Sequence, residues 1–293
     1  MAVFRSCNLI AHKCREVISL STPSIMNSES AWIKRFFDCK FPLFKKDVNL
    51  SEAKKILEEH KPDKLYKYRR ADDHGFDVIE TGALWLARAD TVTDEYDCYY
   101  VYSLDKILDY HEQSLREALP NVHTSTVQQL RESRKPHIEA DHDKLRDLFR
   151  KSIKLCSLCE RADVDHMWKE YSGNNTGFCI EFDLQRVPQD LWEMLYPVFY
   201  TDDTVDLSAY NAEISRNKEK VNRAFIRQAA LTKSLKWEPE REWRIIYPDV
   251  PEKIGVNCTG IPISCVYIGR EASHATINRV TEICQNKGIA VKK

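Results

Sequence analysis

Glycine is scarce in this chain: eight residues in 293, none of them in a G-x-G-x-x-G or Walker-type run. Without such a loop to cradle phosphates, a Rossmann or P-loop enzyme is not expected. His-Glu-x-x-His and a nucleophile elbow are also missing, which removes zincin and α/β-hydrolase chemistry. No run of eighteen apolar residues occurs, so no transmembrane helix is expected. Charge of one sign is lacking too. With 44 basic and 45 acidic residues the net charge is −1, which argues against a generally basic nucleic-acid coat protein and leaves room for a local basic patch.

What is present suffices for a sizeable core. Hydrophobic residues make up 43% and charged residues 30%, ordinary globular usage that excludes wholesale disorder. Ten cysteines are scattered along the chain with no secretory signal before them, the pattern of reduced thiols in a cytoplasm. Only Cys156 and Cys159 have metal-like spacing. Completing a zinc site would require Cys98, Cys179 or His166 to converge on them, so both are read as small core residues and no metal is expected.

The organisation reads as α+β. Residues 1–28 carry Arg5, Lys13 and Arg15 against Glu16 alone and are taken as a leader or disordered tail, with Met26 an alternative start. Residues 29–60 form a helical extension, its second helix capped by Ser51. Residues 61–293 form one α+β unit around a mixed or antiparallel split sheet, with helical insertions at about 104–152 and 207–235. Strands are expected at residues 65–69, 84–87, 153–159, 178–182, 196–200, from Glu240 onward, and at 263–268; helices at 75–81, 163–171 and 272–286. On the helix near residues 144–154, Leu145, Leu148, Phe149 and Ile153 read as an apolar stripe with Lys144, Arg146, Arg150, Lys151 and Lys154 on its other sides.

Glu240, Glu242 and Arg244 stand at alternate positions. On a strand, period two puts them on one face, neighbours roughly 7 Å apart, with Trp243 and Ile245 on the other. Such a face is either a solvated edge or a site.

The order of blocks is informative. Leu65-Tyr66-Lys67-Tyr68-Arg69, Leu84-Trp85-Leu86, Met167-Trp168-Lys169-Glu170-Tyr171, Gly177-Phe178-Cys179-Ile180-Glu181-Phe182-Asp183 and residues 237–246 together resemble an uncharacterised bacterial family, domain of unknown function 2971, over about residues 62–270. The third block departs from it: Thr93-Asp94-Glu95-Tyr96-Asp97 stands where the family has Asn-Asp-Pro-Phe-Glu. That resemblance implies no activity. The layout of an Arg ending a first strand, a central aromatic residue and a late Glu-x-Glu is similar to that of ADP-ribosyltransferases, and implies NAD as substrate. Glu242 would then stabilise the oxocarbenium-like ribose and Glu240 would orient or deprotonate the acceptor. Arg69 would grip the pyrophosphate, with Tyr68 beside it, and Tyr171 or Trp168 would stack on nicotinamide. His74 is a second-rank candidate. The implied partners are a macromolecular acceptor, protein or nucleic acid, and an antitoxin or defence-system partner, as suits a toxin or anti-phage effector. Two alternatives stand beside this: a magnesium nuclease using Asp94, Asp97, Glu240 and Glu242 with the basic helix on phosphates, and a non-catalytic binding or sensor module.

Overall fold

The computed structural model describes residues 28–92, 97–249 and 251–293. Residues 1–27 of the expected leader lie outside the described residues, while Ser28 already opens a helix, and most of the third sequence block, Asp94 included, lies outside them too.

Two helices enter first, α1 (Ser28–Lys40) and α2 (Leu50–His60). The cap of α2 is Asn49, whose side chain accepts from the Glu52 amide at 3.1 Å, rather than Ser51, which lies inside the helix. The chain continues through β1 (Lys64–Arg69), α3 (Asp73–Thr81) and β2 (Leu84–Arg88). The helical arm follows, α4 (Leu104–Ala118) and α5 (Thr124–Ser152), leading directly into β3 (Ile153–Cys159). Next come α6 (Asp165–Tyr171), β4 (Phe178–Asp183), β5 (Leu195–Pro197), β6 (Phe199–Tyr200) and α7 (Ser208–Asn217). After α7 the expected helix gives way to a 3-10 segment at Arg223–Arg227, a single turn at Gln228–Leu231 and β7 (Thr232–Lys233). The chain closes with β8 (Glu242–Pro248), β9 (Gly255–Cys258), β10 (Ile263–Ile268), α8 (His274–Lys287) and β11 (Ala290–Lys292).

The main sheet runs β11-β10-β4-β1-β3-β2-β9, with β8 along the other side of β3 and β5 on β8. It forks at β3. Towards Cys159 that strand meets β1 at one bridge, Tyr66 with Cys159, and towards Ile153 it meets β2 at Leu155 with Ala87. Between the two contacts the Ser157 carbonyl has no strand to pair with, and the Lys67 ammonium donates to it at 2.6 Å, as a buried carbonyl requires.

Each face of the sheet has its own core. On one, Leu65, Leu158, Phe178, Ile180, Trp243, Ile245 and Val266 pack against α3 and α8. On the other, Leu155 and Ile246 meet the phenylalanines of α1, Ile56 of α2 and Phe149 of α5. A smaller cluster on this second face, Tyr68, Cys159 and Cys179, lies under Met167 and Trp168 of α6. Cys156 and Cys159 therefore sit in different clusters, as core residues. The stripe on α5 is only partly covered: Phe149 is buried, whereas Leu145 and Leu148 are half exposed and Ile153 already belongs to β3.

The turn after α6 fixes that helix to the sheet. Gly173, Asn174 and Asn175 all have positive φ, which glycine and asparagine tolerate best. A Cβ on Gly177 would lie 2.1 Å from the Arg69 carbonyl, so only glycine lets the turn close on β1.

Candidate functional site

On the second face of the sheet, β8 carries Glu242 and Arg244, registered with Cys159 and Ser157 of β3. Arg244 is completely buried. Its guanidinium donates to both oxygens of Asp97, at 2.6 and 2.7 Å, to Glu242 Oε1 at 2.7 Å and to the Ala230 carbonyl at 2.8 Å. The planar fork matches two carboxylates at once, which is how so large a desolvation cost is offset. Glu242 also donates its backbone N–H to the Tyr200 hydroxyl at 2.8 Å.

Glu240 reaches the same cluster by another route. The 3-10 turn Leu235–Glu240 ends at Arg241, whose φ of 42° is left-handed, and β8 begins only at Glu242. Glu240 is thus not on the strand face that its alternate spacing suggested; the left-handed residue breaks the extended run. Lys233 joins the two acids, donating to Glu240 Oε2 at 2.6 Å and to Glu242 Oε2 at 3.0 Å. The Tyr171 hydroxyl donates to Glu240 Oε1 at 3.0 Å, while the residue as a whole remains 41% exposed. Tyr171 thus joins this carboxylate pair to the surface.

Three acids, Asp97, Glu240 and Glu242, face two bases, Lys233 and Arg244, leaving one net negative charge. Burial works to raise the Glu242 pKa, but Arg244 and Lys233 outweigh it and hold this carboxyl at about 2. Burial works to lower that of Lys233, and the neighbouring carboxylates more than offset it, so the ammonium stays charged. Burial and then the Glu240 charge push the Tyr171 phenol well up, keeping it a donor.

Of the six residues singled out from sequence, Glu240, Glu242 and Tyr171 come together and three do not join them. Tyr68 is buried, its hydroxyl donating to the Arg161 carbonyl at 2.9 Å. Trp168 packs edge-on against Tyr68 and donates its indole N–H to the Ala162 carbonyl at 2.7 Å. Both are spent on seating α6. Arg69 registers with Phe178, on the sheet face opposite to Glu242, so these two cannot grip one pyrophosphate and its ribose as the layout implied. His74 lies in the first turn of α3, exposed. The oxygens of Asp97 and Glu242 that magnesium would need are turned onto Arg244.

Lys233 and Tyr200 were not singled out. Neither belongs to a motif, and both sit in a minor two-stranded ladder, β6 with β7, whose strands are two residues long. Asp97 was considered as a metal ligand, and serves instead as the carboxylate partner of Arg244.

Most of the cluster falls within one matched segment of sequence. Residues 167–245 match the model of a family described as a protein of unknown function, DUF2971. The resemblance to that family holds over this segment, shorter than the stretch of about residues 62–270 that the sequence blocks suggested. The segment supplies Tyr171, Lys233, Glu240, Glu242 and Arg244; Asp97 comes from outside it. No curated protein and no solved structure matches the chain. Among the described residues no helix is long and apolar enough to cross a membrane.

Proposed function

We propose that the chain transfers ADP-ribose from NAD to a macromolecular acceptor, with Glu240 rather than Glu242 facing the substrate. One observation carries this reading: a buried carboxylate pair with a net negative charge stands behind a single exposed tyrosine ring. When nicotinamide departs, positive charge develops on the ribose, and a preorganised carboxylate in a low-dielectric site stabilises it. Glu242 is held by Arg244 and Lys233, so its part is to keep Lys233, and through it Glu240, in position. The Tyr171 phenol moves off Glu240 as the substrate enters, and its ring offers a stacking surface. An activity of this kind depletes the host cell, which suits a cytoplasmic toxin or anti-phage effector restrained by a partner.

A second reading rests on the completeness of the pairing within the cluster: it is a structural network, and the molecule binds without transforming. The two readings part on one experiment. Purified chain incubated with NAD and EDTA should release nicotinamide, and Glu240→Gln should slow this by about 10²-fold or more. Tyr171→Phe should retain turnover. If the wild type leaves NAD intact, or the Gln variant turns over as the wild type does, the structural reading stands.

A further inference from the structure

A cleft of about 480 Å³ opens between α4, α5 and α7 in the helical arm, away from the charged cluster and within the size range of small-molecule sites. Its floor is aliphatic: Leu108, Leu115, Val127 and Leu130. The polar groups at its edge are almost all committed elsewhere, the one lining carboxylate among the described residues, Glu112, being paired with Arg116 at 2.9 Å and with Arg131 at 3.6 Å. Ser114 and Ser215 donate to carbonyls of their own helices, at 2.9 and 3.0 Å. Arg131 is paired with Asp105 and Asp109, and Arg216 with Glu117 and Glu213.

Arg134 differs. Its guanidinium donates to His111 Nδ1 at 3.2 Å, and among the described residues no carboxylate pairs with it. A guanidinium only donates, so this ring nitrogen of His111 is the acceptor and carries no proton. Burial first, and then Arg134, lower the His111 pKa, so the imidazole adds no second positive charge. The cleft thus presents one cation, aimed by a neutral histidine, at the rim of an aliphatic floor. Among the described residues no Phe, Tyr or Trp lines it to stack a base, and no second unpaired cation is present for a doubly charged phosphate.

We propose that this cleft binds a medium-chain fatty carboxylate, with its chain on the leucine and valine floor and its carboxylate on Arg134. Charge complementarity selects this occupant: an aliphatic body matches the floor, and a single anionic head matches the single unneutralised guanidinium.

The test is calorimetric titration of the full chain with octanoate, decanoate and dodecanoate below their micelle concentrations. One ligand per chain is expected, tightening about fourfold per methylene. Arg134→Gln should weaken dodecanoate about tenfold or more while leaving dodecanol unchanged, since a charge-assisted contact is lost and the floor is kept. Leu130→Asp should weaken both. Both side chains are solvent-exposed, and thermal melts of the variants confirm folding. The proposal is overturned if dodecanoate gives no binding heat, if several molecules bind per chain, or if Arg134→Gln binds dodecanoate as the wild type does. A second copy of the chain occupying the cleft, seen as a dimer on gel filtration that dodecanoate does not dissociate, overturns it equally.

Discussion

Two buried carboxylate networks lie on the same face of the sheet and are built on different plans. Around Glu181 a single carboxylate is served by hydroxyls and one surface amine: Ser264 and Tyr267 each donate at 2.7 Å, Tyr66 at 3.3 Å, and Lys64 at 2.7 Å. Lys64 is half exposed, so one member of the pair keeps its hydration. Around Arg244 no charged group keeps more than a fringe of solvent, and acids outnumber bases by one. Both Glu181 and Glu242 are held at about 2, the first by Lys64 and hydroxyl donors against its own burial, the second by two cations against a deeper burial. The same downward shift thus comes from unequal causes. The Glu181 network is balanced and reaches water through Lys64; the Arg244 network carries a net charge and reaches the surface at Tyr171.

The difference makes the two networks unequal under mutation. Arg244→Met should be the most damaging change, because it leaves Asp97 buried without its cation and Glu242 with Lys233 alone; a loss of about 3–5 kcal/mol in urea unfolding is expected. A loss below 1 kcal/mol would mean that the cluster is hydrated and the contrast false. Glu181→Gln should cost less, about 1–3 kcal/mol, since the hydroxyls around it rotate to serve an amide and Lys64 returns to water.

Acid sharpens the comparison further. The folded pKa of Glu181 lies below its ordinary value of 4.5, so its contribution to stability is complete above pH 4.5 and is lost as pH falls towards 2. Urea midpoints measured between pH 5 and pH 3 should decline less steeply in Glu181→Gln than in the wild type. A parallel decline in both would remove Glu181 from the titrating set.

The smallest expected effect comes from a buried titratable group with no network. His142 of α5 is buried, stacked on Tyr102 and edge-on to Tyr100, and among the described residues neither ring nitrogen has a hydrogen-bond partner. Burial first, helped by Arg146, pushes its pKa down to about 4 from 6.5. The unfolded chain therefore takes up this proton first, and stability attributable to a neutral His142 falls as pH drops from about 6.5 towards 4. His142→Phe should flatten the stability profile across that window, and an unchanged profile would show that the ring is solvated.

Much of the fold was legible because local pattern and tertiary environment agree. The strands at Ile153–Cys159 and Ile263–Ile268 and the turn at residues 172–177 stand where apolar runs and Gly/Asn clusters put them. Residues 196–200 were read as one strand, and the chain divides there: β5 pairs with β8, β6 with β7, and between them the Val198 amide donates to the Glu242 carbonyl. Pro197, lacking an N–H, closes the first ladder. The stretch at 207–235, read as helical, ends its long helix at Asn217 because Val221 bridges back to Phe44, a pairing that no local signal carries. β9 has four residues and little alternation, and so was missed.

By itself the sequence determined which residues share a strand face. Period two sets Glu242 and Arg244 together and turns Trp243 and Ile245 into the core, wherever the strand lies. Why residue 177 must be glycine is a tertiary matter, since the contact that leaves no room for a side chain is with the Arg69 carbonyl. Tertiary structure alone decided which charges meet. Asp97 stands 147 positions from Arg244, Tyr171 stands 69 from Glu240, and Arg69 lies across the sheet from the acids it was expected to assist. Electrostatic energy depends on separation in space and on burial, and one residue's slip onto the other face of a strand reverses both.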